Sequence, residues 1–240
     1  MSKVVARFFL LLMLPLSAAS QSLNPVAKQE WKTIDDYSVE SLIHAHATGA
    51  VILSGNCQPV GDGKAVFSGF IHHPPANPPA SLDGELDFLT SVQPHITWSL
   101  QEDGLVRIVD SRVSGQILKR TVRRIEIIDA ADIQNAVDQA LSVPEVVSYF
   151  SQSQTQLVRN SSANRIFGAV VNGKSSTPSS TPKHSLLLEN VSLEEALDRI
   201  AHDFAGAWVY CECPGRISID SYQTGIPKFW SLAGDTGLHK

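Results

Sequence analysis

Residues 190–213, NVSLEEALDRIAHDFAGAWVYCEC, leave the backbone little freedom. Ser192 is a good N-cap, and Glu195 three residues later completes a capping box. Leu193, Ala196, Leu197, Ile200, Ala201 and Phe204 then recur at helical spacing, with Glu194, Asp198, Arg199 and Asp203 on the other side. Gly206 is the expected stop. AWVYC is rich in strand formers, CPG at 213–215 predicts a turn, and RISID at 216–220 places Ile217 and Ile219 on one face of a second strand. Upstream, SLLLEN at 185–190 also reads as a strand, so the unit is strand–helix–strand–strand.

The same pattern occurs earlier. LDFLTSVQPHITWSLQEDGLVRIVD at 86–110 aligns with LDRIAHDFAGAWVYCECPGRISID at 197–220. Each begins with Leu-Asp on a helix, reaches a tryptophan at Trp98 or Trp208, turns at Gly104 or Gly215 and closes an alternating strand with aspartate. Asp103-Gly104 is a two-residue hairpin signal. These similarities predict an internal repeat.

Each repeat has an extra leading helix: SVESLIHAHA before the strand AVILSG in the first, DIQNAVDQALSVPEVVSYF in the second. The second divides at Pro144, which opens a further short helix. HHPPANPPAS at 72–81 and GKSSTPSSTPKH at 173–184 are loops by composition. The expected fold is α+β, with two related units of a helix on a small sheet at 23–113 and 114–223. The loop 173–184 belongs to the second unit, and a tail follows at 224–240.

Residues 1–20 have the form of a secretory signal peptide. Lys3 and Arg7 supply positive charge, FFLLLMLPL is the apolar stretch and SAAS provides small residues for cleavage. No later run has the ~20 apolar residues of a membrane helix, so the mature chain is expected to be exported, periplasmic or secreted, without a membrane span. Loss of Lys3 and Arg7 takes the formal charge from −5 to −7. An acidic chain argues against nucleic acid, whose phosphates need clustered Lys and Arg. The basic run LKRTVRR at 118–124 reads as the solvated edge of a strand.

The stretch LLLENVSLEEALDRIAHDFAGAWVYCECPGRISI, residues 186–219, resembles the short N-terminal domain of secretins and TonB-dependent receptors, the STN domain. The positions carrying the resemblance are Val191, Ser192, Leu193, Ala196, Leu197, Ile200 and Ala201; residues 81–110 match more weakly. The resemblance implies a small periplasmic α+β module that binds other envelope proteins and is not an enzyme. The residues after the module do not resemble a secretin channel, TonB plug or barrel, so the expectation is a free-standing tandem of STN-like units. The expected partner is a cell-envelope protein.

Candidate sites are few. Cys57, Cys211 and Cys213 lie in a chain bound for an oxidising compartment. Cys211 and Cys213 are too close for an easy bond, so the expected disulfide joins Cys57 to one of them and leaves the other free. His44 and His46 lie two apart on a helix and point to different sides. His72 and His73 stand in a Pro-rich loop, so no metal or cofactor is expected. A thiol nucleophile would need a base. The nearest are His184 and His202, and His202 lies one turn from Asp198 in a local surface contact. Trp98, Trp208 and Tyr210 have two readings: core residues of each unit, or an aromatic docking face. Tyr210 shares the strand face of Trp208, which makes that face the candidate. Alternatives to a protein-interaction module are a small-ligand or glycan-binding protein and a metal- or thiol-dependent hydrolase.

Overall fold

A computed structural model describes residues 34–55, 57–60, 64–67, 79–158 and 183–225, with 35, 36, 57–60 and 64–67 described by backbone alone. The leader, His72, His73, most of both Pro-rich loops and the tail beyond residue 225 lie outside the described residues. The fold is α+β. Its helices are α1 (Ile34–His44), α2 (Leu82–Val92), α3 (Ile133–Leu141), α4 (Pro144–Gln152) and α5 (Leu193–Asp203). A six-stranded sheet runs in the order β4 (Ile96–Leu100), β5 (Val106–Asp110), β1 (Gly49–Ser54), β9 (Gly206–Cys213), β10 (Arg216–Gln223) and β7 (Gln156–Val158). Two ribbons accompany it, β2 (Cys57–Val60) with β3 (Lys64–Phe67), and β6 (Thr121–Ala130) with β8 (His184–Ser192).

The expected small sheets are not separate. β1 pairs in parallel with both β5 and β9, from Gly49 opposite Ala207 to Ser54 opposite Glu212, and so joins the two halves into one sheet. The strand 185–190 is part of β8, which pairs with β6 and not with the hairpin that follows it. β6 also absorbs the end of the basic run. Its Val122, Ile125 and Ile127 turn inward while Arg123 and Arg124 stay outside.

The sheet is covered on both faces, and the central strands show it. In β9, Trp208 and Tyr210 face the core built by α3, α5 and the β6–β8 ribbon. Ala207, Val209, Cys211 and Cys213 face a second core with α1 and α2. β1 alternates likewise, with Ala50 and Ile52 on the first side and Val51 and Leu53 on the second. Strands buried on both faces read as continuous apolar runs, which is why GAVILS and GAWVYC show little alternation.

Each half supplies three strands in the same order: first hairpin strand, second hairpin strand, leading strand. These are β4-β5-β1 and β9-β10-β7. In each, the hairpin is antiparallel and the leading strand lies parallel to the second hairpin strand. Because β1 and β9 are parallel, strand directions in one half are reversed relative to the other. The helices accordingly fall on opposite faces, α1 and α2 on one, α3 and α5 on the other.

Local sequence explains the helix ends. The capping box forms as expected: Ser192 Oγ accepts from Glu195 N, and Ser192 N donates to Glu195 Oε2 at 2.7 Å. Gly206 is not the left-handed stop residue; Ala205 takes that conformation, with φ 47°. Glycine is needed at 206 for space, since a Cβ would lie 2.7 Å from the Tyr222 carbonyl oxygen and press on Ile133. Gly104 and Gly215 do turn the hairpins at φ 83° and 74°.

Candidate functional site

The two tryptophans make the same bond in the two halves. Trp98 Nε1 donates to Asp87 Oδ1 at 2.9 Å, and Trp208 Nε1 donates to Asp198 Oδ1 at 2.9 Å. Each aspartate follows the equivalent leucine, Leu86 or Leu197, on the helix packed over that strand. The surroundings differ. Trp98 is half-buried on the outer strand β4, and Asp87 is exposed. Trp208 is fully buried.

That burial corrects the expected docking face. Trp208 and Tyr210 both have zero exposure, because β9 is central and α5, α3 and the β6–β8 ribbon cover this side. They are core residues. Tyr210 Oη donates to Glu212 Oε2 at 2.9 Å, and burial together with that carboxylate pushes the phenol far above its ordinary range. Of the three aromatics, Trp98 alone reaches the surface.

Asp198 is not available to His202. It joins the two halves instead: Arg107 on β5 places one guanidinium nitrogen on Asp198 and another on Glu194, both on α5. Burial pushes Asp198 up to about 6, against the opposing pull of Arg107 and the indole N–H. His202 Nδ1 lies 3.4 Å from Asp203 Oδ1.

At the C-terminal end of β1, β5 and β9 is a cleft of about 360 Å³. Its wall includes Ser54, Arg112, Ser114, Tyr149, Glu212 and Cys213. Glu212 is already engaged by the hydroxyls of Ser114 (2.5 Å) and Tyr210 and by Gly115 N (2.9 Å). Arg112 closes a fork on buried Asp110, with Nη2 to Oδ2 at 2.6 Å and Nε to Oδ1 at 2.9 Å. Burial pushes Asp110 upward, but the Arg112 hydrogen bonds and charge outweigh it and hold the carboxyl below its usual value. The cleft is polar: Arg112 is paired with Asp110 behind it, and Glu212 accepts from neutral donors.

Cys213 is disulfide-bonded and Cys211 is a buried thiol outside any disulfide; the side chain of Cys57 lies outside the described residues. Cys211 faces the α1–α2 core, whereas His184 stacks edge-on against Phe204 in the opposite core and His202 rides on α5. The sheet therefore stands between this thiol and both histidines. His44 sits 3.7 Å from Glu40, and His46 is exposed. Among the described residues no group of three or more His, Cys, Asp or Glu could hold a metal ion, and no helix is long and apolar enough to cross a membrane.

A surface that the sequence did not single out lies on the β6–β8 ribbon. Val122, Ile125, Ile127 and Leu188 line its inner face. On the outer side Ile128 is 58% exposed and Leu187 52% exposed. Leu187 is paired with Glu126, two residues from Ile128, so the two apolar side chains are diagonal neighbours. Arg124, Glu126 and Glu189 form the rim, with Arg124 bonded to Glu126 at 3.1 Å. A bulge sets Ile128 in place: the register slips between Ile127 and Ala130, Asp129 has φ 52°, and the Gln139 amide brackets the backbone N–H and C=O of Ile128 at 2.8 and 3.0 Å. The sequence signal was present in RRIEIIDA, whose second consecutive isoleucine breaks the alternation.

No protein-family model matches the chain, and no curated protein or solved structure shows significant similarity to it.

Proposed function

We propose that the chain is an exported, STN-like protein-interaction module that docks on a cell-envelope protein through the outer face of the β6–β8 ribbon. The observation carrying this reading is the Ile128–Leu187 pair, exposed at the centre of a charged rim. An apolar centre inside a polar rim is the usual anatomy of a protein interface. The signal peptide and the match at Val191, Ser192, Leu193, Ala196, Leu197, Ile200 and Ala201 support the envelope and the STN-like class. Against thiol hydrolysis, the sheet stands between Cys211 and both His184 and His202.

The test is affinity capture from the envelope fraction with wild type, Ile128→Lys and Leu187→Glu. Both side chains are more than half exposed, so the variants should fold. A specific protein lost in both variants supports the reading, and a partner retained in both removes the ribbon face from it. A second reading, a small-ligand binder, is favoured by the strand-end cleft, whose volume reaches the lower range of ligand pockets. Arg112→Ala would abolish ligand binding there and leave protein capture intact.

A further inference from the structure

The six-stranded sheet ends on β4 at one side and on β7 at the other. In β4, Gln101 N donates to Leu105 O and Ser111 N to His95 O, each at 2.9 Å. These bonds place residues 95, 97, 99 and 101 in the hydrogen-bonded pairs of the antiparallel ladder, so the main-chain groups of Trp98 and Leu100 point to the outer edge. In β7, Gln156 N donates to Gly215 O at 2.9 Å, which turns the main-chain groups of Leu157 outward. Among the described residues neither edge has a partner strand. Edge strands are commonly guarded by lysine, proline or inward charge. ITWSL and QLV carry none of these.

We propose that copies of this chain join head to tail, β7 of one pairing in parallel with β4 of the next. The template is the joint inside the chain. There a leading strand, β1, lies parallel to a first hairpin strand, β9. The two free edges are the other leading strand and the other first hairpin strand. Repeating the internal operation therefore brings β7 against β4 in the same sense, with the helices again on alternate faces. The exposure along β4 fits a missing neighbour. Leu100 is 65% exposed, whereas Tyr210, the residue two beyond the tryptophan in β9, is fully buried. Thr97 and Ser99 are exposed where Ala207 and Val209 are buried. Those polar substitutions, and the three-residue length of β7, make the joint between copies weaker than the one within the chain, hence reversible and concentration-dependent. A contact between two different surfaces adds copies in a row or closes a ring.

Sedimentation equilibrium of the mature chain, with its disulfide intact, tests this. The wild-type average mass should rise with concentration. Leu100→Pro and Leu157→Pro each remove one outward N–H and leave the existing ladders intact, so each should remain monomeric. Mixed, they should form a dimer and nothing larger, because each keeps the edge the other has lost. Ser99→Lys and Gln156→Lys, at exposed positions, act without altering the backbone and carry the test if a proline variant does not fold; each should weaken association by about tenfold or more. A wild type monomeric to about 1 mM would overturn the proposal. So would association of Leu157→Pro alone, which would indicate β4 pairing with β4 or a contact elsewhere. Folded proline variants that stay monomeric when mixed, or Lys variants that associate as the wild type does, would also overturn it.

Discussion

Trp208 and Asp198 are bound at 2.9 Å inside the molecule, while the matching pair Trp98 and Asp87 makes the same bond at its rim. The chemistry is identical and the environment is not, so the pairs measure what burial adds. Trp208→Phe leaves Asp198 without a neutral donor in a largely buried place and should cost about 1–3 kcal/mol. Trp98→Phe leaves an exposed carboxylate that water can serve and should cost less than about 1 kcal/mol. Urea melts followed by circular dichroism would show the difference, and equal losses would refute the burial argument.

Asp198 also predicts a pH dependence. Its folded value, about 6, lies above the ordinary aspartate value, so the folded state binds more protons than the unfolded chain in the window between them. Lowering pH from about 6 toward about 4 should therefore increase this residue's contribution to stability. Asp110, held low by Arg112, acts in the opposite sense, and its contribution is lost as pH falls through its folded value. Comparing wild type with Asp198→Asn isolates the first effect: the variant should lose the acid-side gain. An unchanged difference across that window would show that Arg107 keeps Asp198 ionised.

Arg107 links β5 in the first half to Glu194 and Asp198 in the second. All three side chains are at most 27% exposed. Arg107→Met should cost about 1.5–3 kcal/mol, the range for hydrogen bonds to charged groups. A double-mutant cycle with Asp198→Asn should be non-additive. Additive losses would mean that the ion pair does not hold the halves together.

The disulfide should join Cys57 to Cys213. Ser54 lies opposite Glu212, and Gly55 N still donates to Glu212 O at 2.8 Å, so the chain leaves β1 beside Cys213. Mass mapping of the unreduced protein should find that pair and one thiol, Cys211, which alkylates only on unfolding. A Cys57–Cys211 bridge would contradict this, as would rapid labelling of Cys211 in the native state.

The helices were legible because their signals are local. The capping box at Ser192 and Glu195, the stripe along α3 and the proline opening α4 each act within a few residues, and all three formed. The pairing of β1 with β9 was not legible, since no residue near Gly49 specifies a partner near Ala207. The tryptophan motif was read as a pattern, but whether Trp208 faced water depended on that same pairing. Asp198 illustrates the limit: its one-turn spacing suggested His202, yet Arg107 from another strand and the Trp208 indole took its two oxygens.

The joint between β1 and β9 also governs the order in which the molecule can be made. β1 is among the first described segments to be made, but the strand on its far side is among the last. Until α5 and β9 arrive, Ala50 and Ile52 lack that side of their core, and a bare strand edge faces solvent. Neither half completes a core without the other, so the two should unfold in one cooperative transition despite their shared strand order. A chain halted between them would present a sticky intermediate in need of a chaperone.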